Sequence, residues 1–378
     1  MNKFVIRVAK IGSLLFALLI VAFAMQKYVF VHMDGNKIRM DGFYLEDKNT
    51  VDVVFFGASE VFAGFSAGQA YEEFGFTSYP FVVDSNSITM LKSQIKEVYN
   101  YQKPKLLVIE INGALYDDDS KIVEEAGVRR YTDNMPYSVN KYKTIMNGVA
   151  AEEKGSYLFP LIKYHGNWQD YRGCISNAND IVAMEKRGYS LLKGAFTYTT
   201  VDKNVDVADM ETLNGKLELT KKSEMYLRDV LQYLQDENIT NVLFVRFPHK
   251  NPSNDSYFTD RAMRGNRAGE IIEEYGFEYI NFERNIADTG LDYNKHFYNE
   301  DHLNVYGQQI FTSYLSRLIV EKYGIEKANL TTEQQKQWNE SVRYTNLYYQ
   351  YAERCIKEGR EEWISENCAL LEKLEKIE

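Results

Sequence analysis

The residues best suited to chemistry are a serine and a histidine near opposite ends of the chain. Ser59 stands in the sequence Gly-Ala-Ser-Glu, directly after the apolar run 51–56, which is typical of a strand buried in a parallel sheet. A serine becomes a nucleophile when a nearby imidazole accepts its proton. The alternative for Ser59 is a helix N-cap, a position that serine favours.

The five histidines narrow the choice of a base. His32 lies beside the apolar N-terminal segment, His165 and His249 fall in or beside loops, and His296 lies six residues before His302. His302 is the best placed, because it follows the last predicted strand and precedes a long helical pattern. This position is at the carboxyl edge of the sheet, where Ser59 is also expected and where open α/β folds bind their ligands.

Alternating strands and helices are expected to position these two residues. The apolar pattern predicts five strands, at 51–56, 77–83, 105–112, 241–247 and 277–282. Helices are predicted between and after them, at 67–74, 86–102, 216–237, 260–275 and 303–323. Repeated strand–helix–strand units of this spacing imply right-handed crossovers. We therefore predict an α/β fold, a three-layer sandwich around one five-stranded parallel sheet.

The chain divides into three predicted parts. Residues 1–33 form an N-terminal membrane anchor or signal segment, residues 34–330 the α/β domain, and residues 331–378 a helical C-terminal extension. Residues 116–200 are rich in Tyr, Asn, Arg and Lys and break the strand–helix rhythm. We interpret them as an insertion over the sheet edge.

Charge and composition limit the possible partners and cofactors. The net charge of −10 argues against nucleic acid or an anionic membrane surface as the main partner. The 29 tyrosines suit sugar-binding surfaces, but they fill cores equally well. Cys174, Cys355 and Cys368 show no metal spacing; a disulfide between the last two and free thiols are both open. We predict no metal and no cofactor.

The N-terminal segment predicts the location of the protein. Lys3, Arg7 and Lys10 precede an apolar run that continues to residue 31, and basic residues on that side keep the N-terminus in the cytoplasm. The length favours an uncleaved single-pass anchor in the cell membrane. The small residues at 22–24 leave a cleaved signal and secretion as the alternative. In both cases the main domain is extracytoplasmic.

The two chemical segments resemble blocks of the SGNH (GDSL-type) hydrolases. Gly57-Ala58-Ser59-Glu60 after a strand is similar to the first block, and NEDHLN at 299–304 is similar to the last. The resemblance covers roughly residues 50–324 and implies a flavodoxin-like sheet of order 2-1-3-4-5. The anchor and the tyrosine-rich insertion resemble the cell-envelope members of that family. Those members accompany polysaccharide O-acetylation and teichoic-acid D-alanylation, with membrane-bound O-acyltransferases as partners.

The resemblance implies Ser59 as the nucleophile and His302 as its base. The family's orienting aspartate would stand three residues before the histidine, where this chain has Asn299. An asparagine can orient an imidazole, but it cannot neutralise the imidazolium. Asp301 is an adjacent alternative and Asp292 a more distant one.

The resemblance also implies an oxyanion hole formed by the Ser59 N–H and Asn112. The second block lacks its glycine, since residues 84–87 read Asp-Ser-Asn-Ser, and Glu110 stands where the third block has one. An ordinary turn residue at the end of a strand is the alternative for Asn112.

Two groups in the insertion are candidates for substrate binding. Arg130, with its neighbour Arg129, could hold a phosphate or carboxylate. Tyr164, His165 and Trp168 could stack on sugar rings, although packing of the tryptophan against the sheet is the alternative.

The sequence therefore predicts an extracytoplasmic, serine-dependent acyl-ester hydrolase or O-acyltransferase. Its expected substrate is a cell-envelope polysaccharide or teichoic acid. A non-catalytic scaffold of the same fold is the second hypothesis, and it would bind glycan or a membrane acyltransferase partner. Plain carbohydrate binding through the insertion is the third.

Overall fold

The central element of the computed structural model is a parallel sheet. The structure describes residues 3–31, 34–203 and 206–377. Its strands are β1 (Val53–Phe56), β2 (Ser78–Pro80), β3 (Leu106–Glu110), β4 (Thr197–Tyr198), β5 (Val242–Arg246), β6 (Glu278–Asn281) and β7 (Trp363–Ile364). Five of these form one all-parallel sheet in the order β2-β1-β3-β5-β6. The predicted α/β fold and flavodoxin-like strand order are confirmed.

Seventeen helices surround or extend this sheet in the described part of the chain. The N-terminal ones are α1 (Lys3–Tyr28), α2 (Gly35–Leu45), α3 (Ser59–Gly64), α4 (Ala67–Phe74) and α5 (Ile88–Tyr101). The insertion contributes α6 (Asp119–Ile122), α7 (Glu125–Thr132), α8 (Val139–Gly148), α9 (Lys154–Leu158), α10 (Leu161–Tyr164) and α11 (Tyr171–Arg187). The remainder are α12 (Lys221–Asp236), α13 (Ser256–Glu274), α14 (Ile286–Thr289), α15 (Val305–Tyr323), α16 (Thr332–Glu358) and α17 (Cys368–Glu375).

Both faces of the sheet are covered, as alternation along β1 shows. Val54 and Phe56 pack in a cluster with apolar residues of α5, α12 and α13, whereas Val53 and Phe55 pack with α3, α4 and α15. Because successive side chains point to opposite faces, a run without polar residues requires helices on each side. This arrangement is the predicted three-layer sandwich.

The observed strands are shorter than the apolar runs that predicted them. The run 77–83 pairs with β1 only over Ser78–Pro80, although Phe81, Val82 and Val83 are buried. Burial in a loop and burial in a strand give the same apolar pattern, which explains the difference.

The C-terminal part is helical, as predicted, and it closes back onto the α/β domain. Helix α16 packs along α4 and buries Trp338 and Tyr348. Strand β7 pairs antiparallel with β4, which brings Trp363 opposite Tyr198. The three cysteines are free thiols, so the chain carries no Cys355–Cys368 disulfide. The proposed domain boundaries at residues 33 and 330 stay a prediction.

Among the residues that the structure describes, helix α1 is long and apolar enough to cross a membrane. Its segment Phe4–Tyr28 has 25 residues, and its apolar side chains are exposed. At 1.5 Å per residue, a hydrocarbon layer of about 30 Å needs about 20 residues, so the segment is long enough. A signal sequence would have the same composition. His32, beside this helix, lies outside the described residues.

Candidate active site

The turn after β1 sets the position of Ser59. Gly57 has a φ of 145°, and a Cβ there would lie 2.7 Å from Cγ2 of Val61 and 2.8 Å from Cβ of Glu110. Glycine is therefore required for the close approach of this turn to β3. Ser59 follows as the first residue of α3, where backbone N–H groups have no partner within the helix.

The loop before α15 holds His302 at the same edge of the sheet. Asn304 caps the helix by accepting hydrogen bonds from the backbone N–H groups of Tyr306 (3.0 Å) and Gly307 (3.2 Å). A bridge between Phe297 and Leu303 closes the loop. His302 is therefore fixed by a capped helix on one side and a paired segment on the other.

Ser59, His302 and Asn299 form one hydrogen-bonded line. Oγ of Ser59 lies 2.7 Å from Nε2 of His302, and Nδ1 of the same ring lies 2.9 Å from Oδ1 of Asn299. That oxygen also accepts from the backbone N–H groups of Asp301 (3.0 Å) and His302 (2.9 Å). Because those groups can only donate, the amide orientation is fixed, and Nδ1 must carry the ring proton. Nε2 is left to accept the serine proton.

Burial keeps this imidazole neutral, while nearby carboxylates can stabilise its protonated form. Burial lowers the pKa of His302 below its usual value, while the carboxylates of Glu60 and Asp301 act in the opposite direction. A neutral ring at pH 7 is the form that accepts a proton. The two carboxylates would then stabilise the imidazolium across space, a task that the neutral Asn299 cannot perform.

Asp301 does not orient the imidazole directly. It forms an ion pair with the buried Arg261, and its Oδ1 lies 3.9 Å from Nε2 of His249. Burial would raise the pKa of Asp301, but Arg261, His249 and His302 together hold it at about 2. Asp292, the most distant candidate, pairs instead with Lys295 at 2.8 Å.

A cluster of buried charged residues lies close to Ser59 and His302. Arg246 donates to Oδ1 of Asn112 at 2.7 Å and lies 2.9 Å from Glu283 and 3.4 Å from Glu110. Burial and the neighbouring Glu60 raise the pKa of Glu110 to about 7. Burial also opposes ionisation of Glu283, but Arg246 and His249 hold its pKa at about 2.

His249 completes this buried cluster. Its Nδ1 lies 2.6 Å from the carbonyl of Phe247 and 3.1 Å from Glu283, and its Nε2 lies 3.8 Å from Glu60. Burial and Arg246 lower the pKa of His249, but the two glutamates outweigh them, so the net shift is upward. The upward shift of its pKa is consistent with the carboxylates of Glu60, Glu283 and Asp301 around the ring.

Three residues of this cluster have the donor types of a metal site. Ligand atoms of Glu60, His249 and Asp301 lie within 4.8 Å of one another. However, Oε1 of Glu60 already accepts from Asn112, and Oδ1 of Asp301 accepts from Arg261. The oxygens of Glu60 and Asp301 nearest to His249 are thus already bound by donors of this chain, and the arrangement fits a buried ion network.

Asn112 also belongs to this network. Its Nδ2 donates to Glu60 and its Oδ1 accepts from Arg246, so the carboxylate and the guanidinium fix the orientation of the amide. Its role as an oxyanion donor remains a prediction. In the loop where the second block would carry a glycine, Ser85 adopts a φ of 49°, in the left-handed region that glycine favours.

An aromatic cluster beside His302 was missed by the sequence analysis. The ring centroid of Tyr198 lies 5.1 Å from that of His302, and Tyr198 stacks on Tyr298 at 4.1 Å. Trp363 meets both tyrosines edge-on and is 69% exposed. No sequence motif links these residues, and Trp363 joins the two tyrosines through the pairing of β4 with β7.

The predicted substrate-binding residues of the insertion lie in two places. Arg130 donates to the carbonyl of Asp84 at 3.3 Å, in the loop that follows β2. Tyr164 donates to Asp133, and Nδ1 of His165 lies 2.9 Å from the carbonyl of Ile162. Trp168 is 62% exposed and follows Asn167, which contacts the end of α1. Sugar binding by these residues stays a prediction.

Comparison with known proteins gives a distant likeness in structure. No family model and no curated protein matches the sequence. Three solved structures of the acetylxylan esterase Axe2 from Geobacillus stearothermophilus, one of them a catalytic mutant, align over 75% of this chain and 99% of theirs. Identities are 11%, 13% and 13%, with TM-scores of 0.36, 0.35 and 0.33. At these scores the likeness assigns no activity to this chain.

Proposed function

We propose that this protein is a serine-dependent acyl-ester hydrolase or O-acyltransferase. The observation that carries the proposal is the line from Ser59 through His302 to Asn299, with contacts of 2.7 and 2.9 Å. A nucleophile, a base in reach of it and an orienting group on the far ring nitrogen are the parts that acyl transfer needs.

The chemistry follows from the proton positions. As Oγ of Ser59 attacks the carbonyl carbon of an ester, its proton passes to Nε2 of His302. The tetrahedral intermediate collapses with cleavage of the ester C–O bond, and the imidazolium returns the proton to the departing alcohol oxygen. Water or a sugar hydroxyl then attacks the acyl-serine, and the imidazole again takes the proton. The bond between the acyl carbon and Oγ breaks, and the imidazolium returns the proton to Oγ of Ser59. Water gives an esterase, and a sugar hydroxyl gives a transferase.

The aromatic cluster supports a carbohydrate as one reactant. An exposed indole such as Trp363 can stack on the apolar face of a sugar ring, and Glu361 accepts hydrogen bonds from Trp363 (3.2 Å) and Tyr298 (3.0 Å) at its edge. A pyranose has an apolar face that can stack on an aromatic ring and hydroxyl groups that can donate to a carboxylate. We therefore place the glycan over Trp363, with its ester directed toward Ser59.

The proposed location is the outer face of the cell membrane. The length and exposure of α1 support a retained anchor, and the basic residues that precede the apolar run support an extracytoplasmic domain. A cell-envelope polysaccharide or teichoic acid is then the proposed substrate, and a membrane-bound O-acyltransferase is the proposed partner.

The proposal is tested by covalent labelling. The full-length protein in detergent is treated with a fluorophosphonate probe and assayed with p-nitrophenyl acetate, alongside Ser59→Ala. We expect labelling of the wild type and loss of both signals in the variant. Ser120→Ala, at an exposed serine of α6, is the matched control and should label like the wild type.

A non-catalytic scaffold is the second candidate, and two observations favour it. The amide of Asn112 is engaged by Glu60 and Arg246, and the orienting group at His302 is the neutral Asn299. An unlabelled wild type that unfolds cooperatively and still binds acetylated glycan would identify the scaffold and overturn the enzyme.

A further inference from the structure

We propose that one face of the insertion rests in the lipid interface of the membrane that α1 crosses. We call it the insertion face, and it consists of Tyr137, Phe159, Ile162, Trp168, Tyr171 and Ile175. The inference rests on the proposed function in one respect, the retention of α1 as an anchor. Its occupant is lipid, namely the headgroup and upper acyl-chain region of the outer leaflet.

The distribution of exposed apolar side chains points to this face. Outside α1, twelve large apolar side chains are exposed in the described part of the chain, and eight of them lie between residues 137 and 175. Those of the insertion face are 50–62% exposed. Single exposed apolar residues are ordinary, but a concentration in one segment marks an interaction surface.

Contacts with α1 show the depth of this surface. The ring of Tyr137 packs edge-on against Phe23 at 5.6 Å, and Gln26 donates to the hydroxyl of Tyr137. Phe23 lies within the apolar segment Phe4–Tyr28, five residues before its end, or about 8 Å along the helix axis. If α1 crosses a bilayer, Tyr137 must therefore reach the interface or the upper acyl chains.

The insertion is also fixed to the end of α1. Asn167 donates to the carbonyl of Val31 at 2.8 Å, and Glu185 of α11 receives both the ammonium of Lys27 and the hydroxyl of Tyr28 (3.1 Å). Val31 lies three residues beyond the end of α1, and its backbone carbonyl needs a partner where water is scarce. Trp168, next to Asn167, is thus held at the level where α1 leaves the membrane.

A cavity of about 410 Å³ lies between α1 and the insertion. Its lining combines apolar side chains such as Phe23, Phe30 and Met135 with charged ones such as Lys27 and Glu185. A mixed lining of this kind is typical of the boundary between hydrocarbon and headgroups.

Residue chemistry favours lipid as the occupant. Trp and Tyr are the side chains enriched where hydrocarbon meets headgroups, because they have an apolar body and a polar edge. On α11, Tyr171 and Ile175 are four residues apart and so lie on one side of the helix. A membrane-embedded protein partner would need the same exposure, so the test uses vesicles that contain lipid alone.

The experiment uses tryptophan quenching by brominated lipid. Full-length protein is reconstituted into phosphatidylcholine vesicles with bromines at positions 6 and 7 of one acyl chain. Trp363→Phe leaves Trp168 as the exposed reporter, and Trp168→Phe leaves Trp363 as the matched control of similar exposure. Trp338 is buried and contributes equally to both. We expect at least about twofold stronger quenching in Trp363→Phe than in Trp168→Phe.

Two results would overturn the inference. Equal quenching of the two variants would show that Trp168 does not meet lipid and would leave a protein partner to cover the face. Failure of the protein to float with the vesicles would remove the anchor on which the inference depends. Fluorophosphonate labelling of Ser59 in the same samples tests the proposed chemistry separately. Failure of the insertion face to meet lipid can therefore be distinguished from failure of the enzyme proposal.

Discussion

Oδ1 of Asn299 lies 2.9 Å from Nδ1 of His302, where a serine-hydrolase triad of the usual kind has a carboxylate. The asparagine fixes the tautomer, because its oxygen also accepts two backbone N–H groups. The negative charge that the aspartate of a usual triad would carry is supplied here by Glu60 and Asp301. Orientation and charge stabilisation, which one aspartate usually combines, are here divided between residues.

This division predicts opposite effects for two substitutions of Asn299. Asn299→Ala removes the acceptor at Nδ1, so the ring can adopt the wrong tautomer, and we expect kcat to fall by about 100- to 10,000-fold. Asn299→Asp keeps the acceptor and adds a charge next to the imidazolium, so kcat at pH 8 should rise by up to about 10-fold. The measurement is hydrolysis of p-nitrophenyl acetate under saturating conditions. A fall in Asn299→Asp as large as that in Asn299→Ala would contradict the division of roles.

The acid limb of the pH–rate profile should lie below the usual histidine range. Burial lowers the pKa of His302, and the ring must be neutral to accept the serine proton. Activity is therefore retained as the pH falls to 6.5 and is lost only at lower pH. The measurement is kcat/KM against pH for the wild type. In Asn299→Asp the added carboxylate raises this pKa, and the limb should move to higher pH; an unmoved limb would exclude His302 as the titrating base.

Asp301 should matter for stability through its partner Arg261. The guanidinium is buried, with 2% of its side chain exposed, and Asp301→Asn leaves it without its closest anion. We expect a loss of about 2–3 kcal/mol in the free energy of unfolding, because removing one partner of a buried pair strands the other. Urea unfolding in detergent measures it. Asp292→Asn breaks the exposed pair with Lys295 and should leave stability unchanged.

Glu110 should make stability depend on pH. Burial and Glu60 raise the pKa of Glu110 from 4.5 to about 7, so the fold favours the protonated form. The sign follows from proton binding: the folded state binds more protons than the unfolded state between pH 4.5 and 7, and wild-type stability declines as the pH rises through this window. Glu110→Gln does not titrate and keeps an acceptor for the Asn112 N–H.

The stability of Glu110→Gln relative to the wild type should therefore increase between pH 4.5 and 8, by at most about 3 kcal/mol. Unfolding free energies at several pH values measure the difference. Glu218→Gln, at a glutamate with 78% of its side chain exposed, is the control and should show a constant difference. A constant difference for Glu110→Gln as well would mean that Glu110 is ionised throughout.

The sheet and the pair Ser59–His302 were predictable because both depend on local sequence patterns. Apolar runs and their spacing predicted a parallel five-stranded sheet, the family resemblance implied its strand order, and the residues after β1 and before α15 were expected at one edge. The surroundings were not predictable. Trp363 approaches His302 only through the pairing of β7 with β4, across more than 160 residues of chain. The same holds for the placement of Trp168 beside α1, which depends on a contact between Asn167 and Val31.

Trp363 should bind the glycan substrate, whereas Trp168 should not. Removing the indole in Trp363→Ala takes away a stacking face that packs on Tyr198, the tyrosine beside His302. We expect KM for an acetylated oligosaccharide to rise by about 10-fold, equivalent to about 1.4 kcal/mol. Hydrolysis of p-nitrophenyl acetate should change little, because that substrate has no sugar ring. Trp168→Ala is the matched control, because it removes an exposed tryptophan of the insertion next to Asn167, and it should leave KM for the oligosaccharide unchanged. The reverse result, a raised KM in Trp168→Ala alone, would move the glycan from the β4–β7 edge to the insertion and contradict the insertion face as a lipid surface.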